Sequence, residues 1–128
     1  MLRRPIRIVF AAAAWLFVAC TLVQVFLAGL GVFRSTADFD IHRNFAFIFG
    51  WLTLVMLVLA IVGRLGRRTI FEAFLLLFLF SLQSVFVDAR STMPELAAVH
   101  PVNGFLILLV GIVTASEARR AAASPVAA

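Results

Sequence analysis

Two histidines, His42 and His100, each open a long apolar run that closes near an arginine. Neutral imidazole can ligate a metal through one ring nitrogen while the other is anchored, and two imidazoles can approach one haem iron from opposite faces. The residues around them recur. Gln24, Arg34-Ser35-Thr36 and His42 in the first half correspond to Gln83, Arg90-Ser91-Thr92 and His100 in the second. Gln precedes His by 18 residues in one half and 17 in the other. These matching residues are polar in a chain that is 64% apolar and only 13% charged. The correspondence is therefore more than the generic likeness of one apolar run to another.

Soluble domains are about 45–50% apolar and about 25% charged, so an ordinary soluble domain is excluded. All 11 basic residues are Arg, against 6 acids, for a net charge of +5. They punctuate apolar runs instead of forming a stripe, so membrane topology accounts for them and no nucleic-acid partner is expected. The lone Cys20 rules out an internal disulfide or a thiolate cluster. Charged residues leave uncharged stretches of 26, 20, 15 and 21 residues, and the third becomes 19 if it starts after Arg68 and tolerates Glu72. About 20 residues cross about 30 Å of hydrocarbon. This predicts four transmembrane helices near 8–33, 43–63, 69–88 and 97–116. With short connections they form an all-α integral membrane antiparallel four-helix bundle, one domain over 1–128. It is built from two parallel-repeated helical hairpins, about 8–64 and 69–120, around a pseudo-two-fold axis along the membrane normal.

Arg3, Arg4, Arg7, Arg64, Arg67, Arg68, Arg119 and Arg120 fall on one side, and Arg34, Arg43 and Arg90 on the other. That bias puts both termini in the cytoplasm of a bacterial-type inner membrane. Val18-Ala19-Cys20 has the look of a lipoprotein cleavage site, but the apolar run continues to Phe33, past the roughly 7–15 residues of a signal core. Cleavage is therefore not expected. The tail Ala121–Ala128 is expected to fray and to carry no chemistry.

In a bundle with sequential neighbours, the second and fourth helices are diagonal, so both imidazoles can face the axis near its outer end. Helical spacing puts Ala46, Gly50 and Thr53 below His42, and Gly104, Leu108 and Gly111 below His100, with Gln24, Ala28 and Gly31 on the first helix. Such small faces leave room for a flat macrocycle, or serve close helix packing. Gln24 and Gln83 need partners inside hydrocarbon. They either glue the first helix to the third or to a backbone carbonyl, or they touch a cofactor. Arg34, Arg43 and Arg90 can take haem propionates as bidentate acceptors, or pair with Asp38, Asp40, Asp88 and Glu95, or with lipid phosphates. The candidate cofactor is haem b, with His42 and His100 on the iron and Arg34, Arg43, Arg90, Gln24, Gln83, Gly50 and Gly104 around it. Phe71, Phe74 and Phe78, and Phe45, Phe47 and Phe49, are expected to face lipid or pack.

The run Val23-Gln24-Val25-Phe26-Leu27-Ala28-Gly29-Leu30, a short outer loop, and then Ile41-His42-Arg43 resembles one four-helix unit of the haem A synthase family. His42-Arg43 is similar to that family's Glu-x-x-His-Arg motif, and Val99-His100 to its second ligand. The likeness spans most of 15–116. It implies a histidine pair from the second and fourth helices holding a haem near the outer side. Phe39 stands where the family's catalytic acid lies, with Asp38 and Asp40 on either side, the loop Cys pair is absent, and only one unit is present. The resemblance thus implies haem-bundle architecture rather than haem A synthesis. His100-Pro101 also resembles the start of the last helix in small bacterial four-helix membrane proteins.

Three function classes follow. The first is a b-type cytochrome unit for electron transfer or haem handling. The second is an accessory subunit that contacts the lipid bilayer and packs in a larger membrane complex or homodimer, in which case no chromophore is present. The third is a small transporter, disfavoured because Gln24 stands where a proton-coupling carboxylate is needed. No nucleophile elbow, phosphate loop or metal-binding His-Glu helix occurs, so a carrier or subunit is expected rather than a catalyst.

Overall fold

The computed structural model describes residues 3–124, and the last four residues of the tail lie outside them. Four long apolar stretches form four helical spans, each long and apolar enough to cross a membrane. The first span is α1 (Arg3–Phe33), with Pro5 in its first turn, where a missing N–H costs nothing. Ser35, in extended backbone, then caps a 3-10 turn over Thr36–Asp38 by accepting from the Ala37 N–H. That turn leads into α2 (Phe39–Phe49), so His42 sits one turn inside its helix and not at the predicted start. After Gly50 the second span continues as α3 (Trp51–Val62). Gly50 keeps near-helical angles, and its carbonyl accepts from both the Thr53 hydroxyl (2.7 Å) and the Thr53 N–H (3.1 Å).

The turn after α3 reverses the chain in few residues. Arg64 takes a left-handed φ of 50°, and the Leu65 N–H reaches back to the Ala60 carbonyl at 3.0 Å. This is the usual way of satisfying a helix's last carbonyls. Gly66 follows at φ 104°, which a side chain would resist. The third span, α4 (Arg67–Asp88), starts there, with Glu72 buried one turn in and bonded by Arg68 Nε at 2.9 Å. A 3-10 turn (Ala89–Ser91) and the short α5 (Pro94–Ala97) precede α6 (Val99–Ala123), which runs a turn and more beyond the predicted end.

Each span packs on its sequence neighbours, and α6 closes the ring against α1. Among the described residues the backbone of α1 does not approach that of α4, nor does the backbone of α6 approach those of α2 or α3. The second and fourth spans are therefore diagonal, as the short connections require. Small residues at the centre, among them Ala14, Ala60, Ala73 and Ala115, let the backbones approach, and Phe17, Met56 and Leu76 fill between them. Buried positions keep step between the hairpins. Ala14 and Phe17 answer to Ala73 and Leu76 in the register that superposes Gln24 on Gln83. Phe49, Met56 and Ala60 answer to Ile107, Thr114 and Ala118 in the register of His42 on His100.

The outside is apolar. Phe26, Phe47, Ile48, Trp51, Phe71 and Phe105 are all more than half exposed. Water does not tolerate so much contiguous apolar surface, whereas lipid tails do. The chain is a small multi-pass membrane protein.

Candidate functional site

His42 comes from α2 and His100 from the second residue of α6, and the ring lets them meet across the bundle. Their ring centroids are 6.3 Å apart, with the planes inclined at 64°. Both side chains are half-buried. His42 Nδ1 lies 3.1 Å from the Gln24 backbone carbonyl, and His100 Nδ1 lies 3.4 Å from that of Gln83. A carbonyl can only accept, so Nδ1 is the donor in each contact, and in the neutral ring Nε2 is then left with the lone pair. In that tautomer Nε2 is free to ligate a metal. The two polar pairs matched in the sequence thus make the same contact in both hairpins.

The glutamine side chains behave differently from each other. Gln24 Nε2 donates to the His42 carbonyl at 2.9 Å, so residues 24 and 42 grip one another twice. Its Oε1 is buried without a partner among the described residues. Gln83 Oε1 instead accepts from Asn103 Nδ2 at 3.0 Å, and the same amide group donates to the Leu79 carbonyl at 2.8 Å. Gln24 therefore ties the first span to a carbonyl of the second, and Gln83 ties the third span to the fourth; among the described residues neither glutamine bonds the first span to the third. Asn103 was not among the residues singled out from the sequence. Its signal was available, since it lies one turn below His100 on the same helix, beside Gly104.

Below the imidazoles, Phe17, Phe49 and Phe80 form an aromatic layer, with centroids 5.7 Å apart for Phe17–Phe49 and 5.2 Å for Phe49–Phe80. This layer corrects the expected open faces. A Cβ added at Gly50 would sit 2.5 Å from Phe80 Cε1, and one at Gly31 would sit 2.8 Å from the Phe39 ring. The glycines are notches that α4 and α2 side chains fill, because close-packed interiors do not leave such gaps empty. At Gly104 the neighbour is the Gln83 amide, 3.4 Å from an added Cβ.

The three outer arginines separate into two groups. Arg34 grips Asp38 in a fork, at 2.7 and 2.6 Å, and Arg43 bonds Asp40 at 2.8 Å. The hydrogen bond to Asp38, and then its charge, raise the Arg34 pKa further above its ordinary value. Arg90 reaches only the Val87 carbonyl, at 3.5 Å. Among the described residues no group of three or more His, Cys, Asp or Glu side chains converges as a metal site, so any metal chemistry here rests on the histidine pair.

A family of unknown function, DUF6220, matches residues 24–90, more than half of the chain. The chain belongs to that family. The matched stretch begins at Gln24 and ends at Arg90, and so contains His42, Gln83 and the Phe49–Phe80 contact. No curated protein and no solved structure matches the chain.

Proposed function

We propose that this protein is a small b-type haem bundle, used in electron transfer or haem handling, with His42 and His100 as axial ligands. One observation carries the reading: two imidazoles, from diagonal spans, stand 6.3 Å apart with their Nδ1 atoms anchored on backbone carbonyls. A metal–imidazole bond is about 2 Å, so two trans imidazoles on one ion place their ring centres roughly 6 Å apart. The ring separation therefore suits one ion held by both imidazoles, and anchored imidazoles are stiffer and more basic ligands. Bound haem supplies a one-electron ferric–ferrous couple. Around it, Arg90, which among the described residues has no carboxylate partner, is the residue that would hold a propionate, since Arg34 and Arg43 are engaged by Asp38 and Asp40. Gln24 and Gln83 act through their carbonyls, by orienting the rings. Gly50, filled by Phe80, drops out of the residues that would hold the group, and Gly104 retains only Gln83 beside it.

The shared register of buried and polar residues also supports reading the two hairpins as copies of one unit. The arginine bias supports an orientation in the bacterial inner membrane with both termini in the cytoplasm.

The test is an absorption spectrum of the protein purified from haem-replete cells. A Soret band that shifts on reduction is expected, and each of His42→Ala and His100→Ala is expected to abolish the low-spin spectrum. A colourless wild-type protein, or a spectrum that survives both substitutions, refutes the reading.

A further inference from the structure

At the opposite end of the bundle, where α1 begins and α6 ends, lies a cavity of about 360 Å³, independent of the histidine pair. Phe10, Leu65 and Thr69 line it together with Arg7 from α1 and Glu117 and Ser124 from the end of α6. Its two charged walls are unequal. Arg7 touches only the Ala121 carbonyl, at 3.5 Å, and has no carboxylate partner among the described residues. Glu117 pairs through one oxygen with Arg68, but the same guanidinium also serves Glu72 at 2.9 Å. One cation shared by two carboxylates leaves the Glu117 wall with an excess of negative charge, while the Arg7 wall has an excess of positive charge. The hydroxyls of Thr69 and Ser124 are turned to the backbone carbonyls of Leu65 and Arg120, and so keep lone pairs to accept with.

This end also carries Arg64, Arg67, Arg119 and Arg120, and basic cavities between helices at that depth are where lipid headgroups bind. An anionic headgroup would satisfy Arg7 and leave Glu117 opposed. A choline headgroup brings a cation with no N–H to donate. A headgroup with both a phosphate and a primary ammonium complements both walls. We propose that this cavity seats a phosphatidylethanolamine headgroup, with its phosphate on Arg7 and its ammonium on Glu117. Phe10 and Leu65 give the adjoining glycerol and acyl carbons an apolar edge.

Native mass spectrometry of the detergent-purified full chain, offered equal amounts of dioleoyl phosphatidylethanolamine, phosphatidylcholine and phosphatidylglycerol, tests this. Phosphatidylethanolamine is expected to exceed phosphatidylcholine about tenfold, the worth of one charge-assisted hydrogen bond. Arg7→Gln should lower the occupancy of all three lipids about tenfold, because each brings a phosphate, and Arg7→Lys should retain most of it. Glu117→Gln should bring phosphatidylethanolamine down to the phosphatidylcholine level and turn the order in favour of phosphatidylglycerol, because the Arg7 cation remains without its counterpart. Arg119→Gln, outside the cavity, should change nothing. Equal occupancy by all three lipids overturns the proposal. So does a phosphatidylethanolamine preference that Glu117→Gln leaves intact, or an occupancy that Arg119→Gln lowers as much as Arg7→Gln. Far-UV circular dichroism separates loss of the site from loss of fold, and the Arg7 pair decides the matter if Glu117→Gln does not fold.

Discussion

Gly50→Ala tests whether the small residues below the histidines are notches or empty room. The added methyl would lie 2.5 Å from Phe80 Cε1, 3.1 Å from Cζ and 2.9 Å from the Ala46 carbonyl oxygen. The Phe80 ring cannot simply swing away, because Phe49 and Phe17 hold it at 5.2 and 6.2 Å. Overpacking of this kind costs about 1–3 kcal/mol, while replacing Gly by Ala within a helical segment returns up to about 1 kcal/mol. The expected net loss is therefore about 1–2 kcal/mol. Gly104→Ala provides the contrast. Its methyl meets only the tip of Gln83 at 3.4 Å, an ordinary contact that a flexible side chain can adjust. That variant should be neutral, or more stable by up to about 1 kcal/mol. Equilibrium unfolding in mixed micelles, followed by circular dichroism, measures both. In a Phe80→Ala background the Gly50→Ala penalty should shrink, since the clashing ring has gone and only the approach to the Ala46 carbonyl is left. Equal stability of the two glycine variants, or a penalty undiminished without Phe80, would refute the reasoning.

Three further outcomes are expected. Asn103→Leu removes donors to both Leu79 and Gln83, and should cost about 0.6–1.7 kcal/mol in the same unfolding assay; no loss would mean that the amide contacts are incidental. Arg68→Gln strands Glu72, whose side chain is only 12% exposed, and should lower the unfolding midpoint more than Arg43→Gln, whose ion pair with Asp40 is exposed and worth at most about 1 kcal/mol. Fluorescent-protein fusions at either terminus should fluoresce, and alkaline phosphatase fusions there should stay inactive; the opposite pattern would invert the orientation assigned from the arginines.

The sequence revealed the helices readily, but gave less information about their faces. Placing Arg34 or Arg64 in hydrocarbon is costly, so the charges marked where spans end to within a few residues. The main departures are at the second span, where a Ser35-capped turn carries the helix back to Phe39, and at the fourth, which extends to Ala123. The pairing of His42 with residue 24, and of His100 with residue 83, was visible as matched polar residues at matched spacing. What each made contact with was not. Phe47 and Phe49 illustrate why: they are two residues apart and chemically identical, yet one is 67% exposed and the other 5%. In a chain apolar on every side, hydrophobicity offers no contrast between lipid and a neighbouring helix.

By itself, the sequence determined that the chain forms four apolar helices, that they alternate in direction, and that its few polar residues fall into two similar sets. Those conclusions follow from the cost of charge in hydrocarbon and from the shortness of the connections. Only the tertiary structure decided which faces turn inward. It brought the imidazoles within 6.3 Å of each other, set their Nδ1 atoms on the carbonyls of Gln24 and Gln83, and closed Phe80 over Gly50. Side-chain shape settles those choices, because packing selects among faces that are equally apolar.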